Sequence, residues 1–164
     1  MPVDFRNESL GDRAGIRAVL VEAFPTAAEA DLVERLRNDG SAILSLVAEA
    51  EGEIVGHAML SRMQSPPGML GLAPVAVLAP YRRQGIAARL MEAGLSRAKA
   101  DGWSAVFVLG DPAYYRCFGF DPALAAGFDS PYAGPHLMAI ELKPGALDKR
   151  TGKLEYAAPF ADLE

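Results

Sequence analysis

The sequence predicts an α+β domain of the three-layer α/β type, with a mixed, mostly antiparallel central sheet flanked by helices. Three observations point there. The elements read in the order β-α-α-β-β-β-α-β-α-β; a turn signal at Glu51–Gly52 joins two strands as a hairpin; and a buried strand, helix and buried strand follow over 69–109, the unit that sets two strands parallel. A doubly wound fold would instead alternate strand and helix throughout.

Each element has its own warrant. Val3–Asn7 alternates and reads as a first strand. A helix capped near Asp12 follows, with Ile16, Val19, Leu20 and Ala23 on one face and Pro25 ending it. The T-x-x-E spacing of Thr26 and Glu29 predicts a capping box opening a second helix, which turns Leu32, Val33 and Leu36 inward and stops at Gly40. Residues 43–50 and 53–62 read as the hairpin strands. Met69–Leu78 is apolar at nearly every position, as a strand covered on both faces would be. Pro74 cannot donate to a ladder, so a bulge or break is expected beside it. Residues 84–100 predict a helix burying Ile86, Ala87, Leu90, Met91, Leu95 and Ala98, with Gly102 as its stop. Ala105–Leu109 is a second buried strand. Asp111-Pro112 caps a short helix carrying Tyr114, Tyr115 and Phe118 to Gly119. His136–Leu142 is the last strand. Residues 1–164 thus read as one domain, with 143–164 a tail lying back on it.

Composition narrows the function classes. The 164 residues are 51% hydrophobic and 23% charged, which suits one folded domain. One cysteine and two histidines give neither a disulfide framework nor a four-ligand zinc site, so no metal is expected. The start MPVDFRNESLGD lacks an apolar signal region, and no run is long enough to span a membrane, so a cytoplasmic protein without membrane attachment is expected. A net charge of −5 disfavours non-specific nucleic-acid binding. Residues 22–53 are rich in Glu and Asp, whereas 82–99 gathers Arg82, Arg83, Arg89, Arg97 and Lys99 against Glu92.

The informative junction is Val75 to Met91: strand, short loop, helix. The first turn of a helix has unpaired N–H groups and partial positive charge, which suit an anion. Gly85 removes a Cβ from its approach, Ala87 stays small, and Arg82 and Arg83 add charge. In isolation the same residues would serve as the solvated start of an amphipathic helix. Neither G-x-x-x-x-G-K-[ST] nor G-x-G-x-x-G occurs. Arg82-Arg83-Gln84-Gly85-Ile86-Ala87, however, resembles the [QR]-x-x-G-x-[GA] motif of the GNAT superfamily of N-acetyltransferases, and it follows a buried strand as that family requires. Tyr115-Arg-Cys-Phe-Gly119-Phe120 resembles the family's Y-x-x-x-G-F after the next strand. The element order from Val3 to Leu142 is also similar, and the segments around these motifs resemble a bacterial branch of predicted acetyltransferases.

The resemblance implies a GNAT-like sheet and acetyl-coenzyme A as co-substrate. It implies that Val75 and Val77 pair by backbone with the pantetheine arm, and that the amides of Arg82, Arg83, Gln84, Gly85, Ile86 and Ala87 hold the pyrophosphate. An amide near Val77 would face the oxyanion. Tyr115 matches the family tyrosine that protonates the departing thiolate; a phenol of pKa about 10 is a reasonable donor to it. Tyr114 and Cys117 read as packing. The general base stays open, because Gly71–Leu78 carries no carboxylate where many relatives place a glutamate. Glu22, Glu29, His57 and a water chain are the alternatives. Pro80 stands one position later than in many relatives, which implies a local change in the loop.

The expected activity is acetyl transfer to a primary amine of a small molecule or protein. A non-catalytic acyl-CoA-binding module and a ligand-free structural or toxin-neutralising partner are the rivals. The tail sequence AAPFADLE could seal a homodimer as easily as its own domain.

Overall fold

The computed structural model describes residues 2–148 and 150–163; Met1, Lys149 and Glu164, which fall within the expected domain and tail, lie outside the described residues. The hairpin forms where the turn signal stood. β2 (Ala42–Ala50) and β3 (Glu53–Arg62) pair antiparallel from Ala50 opposite Glu53. Glu51 and Gly52 both take left-handed backbone, φ 51° and 80°, the geometry whose twist matches the flanking strands. β1 (Asp4–Asn7) joins the far side of β2, and β4 (Met69–Val77) pairs antiparallel with β3. β5 (Ala105–Leu109) then runs parallel to β4, as the intervening helix demands. Phe128–Asp129 is a short β6, and Leu137–Glu141 is β7, which closes the sheet antiparallel to β5. The six-stranded order is β1-β2-β3-β4-β5-β7, the mixed, mostly antiparallel sheet expected.

Helices cover both faces. α1 (Arg13–Ala23) and α2 (Ala28–Asn38) turn Ile16, Val19, Leu20, Leu32, Val33 and Leu36 onto Val47, Met59 and Ala76. α3 (Ile86–Ala100) buries Ile86, Leu90, Met91 and Ala98 against Leu46, Ala58 and Leu60 on the opposite face. At roughly 1.5–3 kcal/mol per buried aliphatic side chain, these two apolar layers dominate the stability of the sheet. Arg6 ties three elements together: its guanidinium lies 2.6 Å from Asp12 and 2.9 Å from Glu49, and it holds the Asp12 carboxyl well below the usual carboxylate range.

Three local expectations are corrected. Thr26 does not close a capping box with Glu29: its hydroxyl accepts the Ala28 N–H at 3.2 Å, and Ala27 takes the cap position. Thr26 is one residue too early to cap. The helix expected from 84 begins at Ile86, because Gly85 at φ 78° is its left-handed entry. The capped helix expected after β5 forms as α4 (Pro112–Tyr115), where the Asp111 carboxylate accepts the Ala113 N–H at 3.0 Å. The region beyond it is more structured than a strand and a tail: α5 (Pro122–Ala125) is capped by Asp121. β8 (Gly152–Lys153) pairs with β6.

The tail folds onto its own domain. Backbone bonds link Glu155 to Gln64 and Ser65, Phe160 enters the α1–α2 core, and Asp162 forms an ion pair with Arg35 of α2. These contacts press the Tyr156 ring onto the backbone of β4. A Cβ built on Gly71 would stand 2.6 Å from Cε1 of Tyr156 and 3.2 Å from the Met63 sulfur. Gly71→Ala is therefore expected to lower unfolding free energy by about 1–3 kcal/mol, the range for overpacking. Urea denaturation checks this; an unchanged midpoint would mean the tail does not clamp the strand.

Candidate functional site

The site begins with a strand that cannot keep both neighbours. Between Ala58–Val75 and Leu60–Leu72 the register advances two residues on β3 but three on β4. The extra residue falls at Ala73–Pro74, where the missing proline N–H had predicted it. On its other side β4 pairs with β5 only from Met69 to Gly71, while Val108 and Leu109 stay with β7. The sheet forks. Beyond the bulge the phase of β4 is set by Leu78, whose N–H donates to the Val55 carbonyl at 2.9 Å. Antiparallel pairing alternates, so Val75 and Val77 turn their N–H and C=O groups away from β3 and into the fork.

The strand leads into a loop of exposed amides. Ala79–Tyr81 makes one tight turn, then Arg83 takes φ 64° and Gly85 φ 78°. Among the described residues, no acceptor is found for the backbone N–H groups from Arg83 to Ala88; the ladder of α3 starts with Arg89 bonded to Gly85. Gly85 has open space over it, so its conformation, not crowding, demands glycine. Arg82 is less free than its sequence position suggests. Its Nε donates to the Val77 carbonyl at 2.9 Å, which straps the loop to the open edge of β4. Gln84 reaches the Pro80 carbonyl at 3.4 Å.

Tyr115 stands across the fork on α4. Its ring lies against Gly110, where a Cβ would come within 2.5 Å, and it meets Phe120 and Tyr114 edge-on. Val75, Val77, Ile86, Ala87 and Tyr115 all belong to or pack on the core cluster under α3. The structure thus brings the sequence-derived residues to one side of the fork. Burial pushes the Tyr115 phenol up from its ordinary value, with Tyr114 adding to the shift, so at neutral pH it is a donor. Tyr114 is more exposed, and the thiol of Cys117 turns back to the Ala113 carbonyl.

A fork between parallel strands, an amide-lined turn below one arm and a tyrosine on the other form one constellation. Residues 13–120 match the model of the Acetyltransferase (GNAT) family. The chain belongs to that family. It is 40% identical over 157 residues to the uncharacterized N-acetyltransferase YhbS of Escherichia coli (strain K12), covering 91% of this chain and 93% of that protein. The crystal structure of the GNAT N-acetyltransferase YhbS from Escherichia coli in complex with CoA superposes with TM-score 0.91 at 37% identity, over 97% of this chain and 92% of that one. A GNAT acetyltransferase from Brucella melitensis in complex with acetyl-CoA gives 0.82 at 30% identity, over 97% and 98%.

Within this GNAT domain the base candidates fall apart. Glu22 lines a cleft between α1 and the β2–β3 hairpin, with Asp12, Glu49 and Glu53, and Glu29 sits half-buried in the first turn of α2. His57 is fully buried, its Nε2 2.9 Å from the Ser45 hydroxyl, which donates to Glu8; Glu8 in turn pairs with Arg37. That is a structural network, not a site open to substrate. Sequence reasoning missed a cavity of about 300 Å³ in the fork, lined by Leu72, Ala73, Leu109, Tyr132, Tyr156, Phe160 and Leu163. Among the described residues no carboxylate or cation lines it. The only signal for it was the aromatic content of the tail.

Burial drops the His57 pKa to about 4, below its unfolded value of about 6.5. The unfolded chain therefore binds the proton first, and stability is lost as pH falls from about 6.5 toward 4.5, where the carboxylates begin to contribute. The expected slope approaches 1.4 kcal/mol per pH unit. Chemical denaturation across that window should show the decline in the wild type and a flatter curve in His57→Gln.

Proposed function

We propose that the protein transfers an acetyl group from acetyl-CoA to a primary amine, by direct attack of the amine on the thioester. The observation that carries this is the run of unpaired amides from Arg83 to Ala88 beside the open edge of β4. A diphosphate would accept from these N–H groups at the positive end of α3, with Arg82 and Arg83 adding charge. The pantetheine arm would pair with the backbone groups that Val75 and Val77 turn away from β3, beside the Arg82 side chain bonded to the Val77 carbonyl, standing in for the strand that β5 no longer supplies. The relatives of known structure described above hold CoA or acetyl-CoA, which supports the same reading.

The chemistry then needs a neutral amine, a place for the oxyanion and a proton for sulfur. The amine nitrogen forms a bond to the thioester carbon. An amide directed into the fork near Val77 stabilises the oxyanion, and the C–S bond breaks as Tyr115 gives its proton to the thiolate. The amine loses its own proton to water, since among the described residues no carboxylate lines the fork cavity. A net charge of −5 favours approach of a cationic acceptor only weakly. Cytoplasmic placement goes with this reading: the exposed free thiol of Cys117 suits a reducing compartment. Among the described residues no helix is long and apolar enough to cross a membrane, and no cluster of ligating side chains is placed to hold a metal.

Calorimetry with CoA tests the binding half; absence of heat at high micromolar CoA would remove the enzyme reading. Gly85→Glu should weaken CoA binding by at least about 1.5–3 kcal/mol, because it sets a like charge and strained backbone against the diphosphate. Tyr115→Phe should leave CoA affinity nearly unchanged and lower turnover roughly a hundredfold. Because the phenol is shifted upward, wild-type activity should rise with amine deprotonation and show no falling limb below about pH 10; unaltered turnover in the Phe variant would unseat Tyr115 as the donor.

A further inference from the structure

We infer that the acceptor is a small amine carrying an apolar or aromatic group, seated in the fork cavity against the C-terminal segment. The inference rests on the acetyl-CoA reading above and adds the acceptor's chemical class. Three observations carry it.

The first is place. Leu72 belongs to the core under α3, whereas Ala73, Tyr156 and Phe160 belong to the core under α1 and α2. The cavity that they line with Leu109 of β5 lies beside β4 at the place where β4 and β5 part. A pantetheine arm lying along Val75 and Val77 on the α3 side would deliver its thioester at this opening. The acceptor must enter from the other side, where Tyr132, Tyr156, Phe160 and Leu163 stand.

The second is chemistry. Among the described residues the lining holds no Asp, Glu, Lys or Arg. Its rings interlock, with Tyr132 and Tyr156 meeting edge-on at 5.9 Å and Tyr156 and Phe160 tilted at 5.1 Å. Such a wall favours an aromatic face or a branched alkyl group over a second ammonium or a carboxylate, for which its described residues supply no opposite charge. Leu109 and Leu163 are 46% and 37% exposed at the mouth, apolar surface that a seated ligand would cover. The Tyr156 hydroxyl is buried without a partner among the described residues, so the wall also holds one unspent polar group.

The third is rigidity. Gln64 donates to the Tyr156 carbonyl at 2.8 Å, Glu155 and Ser65 exchange backbone bonds, and Gly71 admits the ring edge. The wall is a fixed surface rather than a loose tail. A volume of about 300 Å³ matches the lower end of small-molecule sites.

The test is equilibrium binding of β-phenylethylamine and of putrescine to the CoA-loaded protein, by calorimetry, with Leu163→Asp as the variant. Leu163 lies at the exposed mouth, so the variant should fold, and its CoA affinity should match wild type. Phenylethylamine is expected to bind at least tenfold more tightly than putrescine, and Leu163→Asp to lose at least fivefold for phenylethylamine alone. Equal binding of the two amines, or tighter binding of putrescine, with CoA affinity intact would overturn the acceptor class while leaving acetyl transfer standing. Failure of CoA itself to bind would overturn both. A butyryl-CoA arm separates the remaining source of an apolar group: if Leu163→Asp weakens butyryl-CoA relative to acetyl-CoA but not phenylethylamine, the cavity holds the acyl chain and the inference falls.

Discussion

One missing hydrogen-bond donor organises this molecule. Pro74 gives β4 no N–H at the place where a central strand would have to satisfy ladders on both sides. The strand resolves this by bulging against β3 and leaving β5. Everything described for the site hangs from that departure: the groups of Val75 and Val77 that turn away from β3, the turn that follows them, and the cavity where β4 and β5 part. Arg82 belongs to the same construction, because its bond to the Val77 carbonyl fixes the amide-lined turn relative to the free edge. Two binding elements that could drift independently are thereby held at one spacing.

The charged network on the opposite face has a different part. Arg6 pairs with Asp12 and Glu49, and Glu8 joins Arg37 to Ser45 and His57, where β1, β2 and the first two helices meet. Burial keeps His57 neutral, and its partner is a hydroxyl rather than a substrate. These side chains hold the helices to the sheet. Of the acidic stretch seen in the sequence, Glu49 pairs with Arg6 and Asp31 and Glu34 pair with Arg17, while the described lining of the fork cavity is apolar and aromatic.

How far the sequence could be read follows from how local each feature is. Gly85 and the arginines before it are adjacent in the chain, and a left-handed glycine at a helix entry is a short-range requirement, so the turn was legible. Asp111-Pro112 announced the helix that carries Tyr115 for the same reason. Pro74 announced a break, though not that β5 would part from β4 there. The fork cavity was not legible, because its walls come from positions as distant as Leu72 and Leu163, joined by a contact between Gly71 and Tyr156 that no periodicity encodes. His57 was readable as lying on a strand. Its confinement depends on Ser45 of the neighbouring strand, and that is a matter of register. The spacing of Thr26 and Glu29 misled because a capping box needs the cap at one residue only, and the chain places Ala27 there.

The aromatic wall has a further consequence. Tyr132, Tyr156, Phe160 and Leu163 all lie beyond the stretch matched to the family, which ends at residue 120, while the turn, the bulge and Tyr115 lie inside it. The grip on the shared metabolite and the surface that would choose its recipient are therefore written in separate, consecutive stretches of one gene. A lineage can redraw the second by changing its last few dozen codons and leave the first untouched.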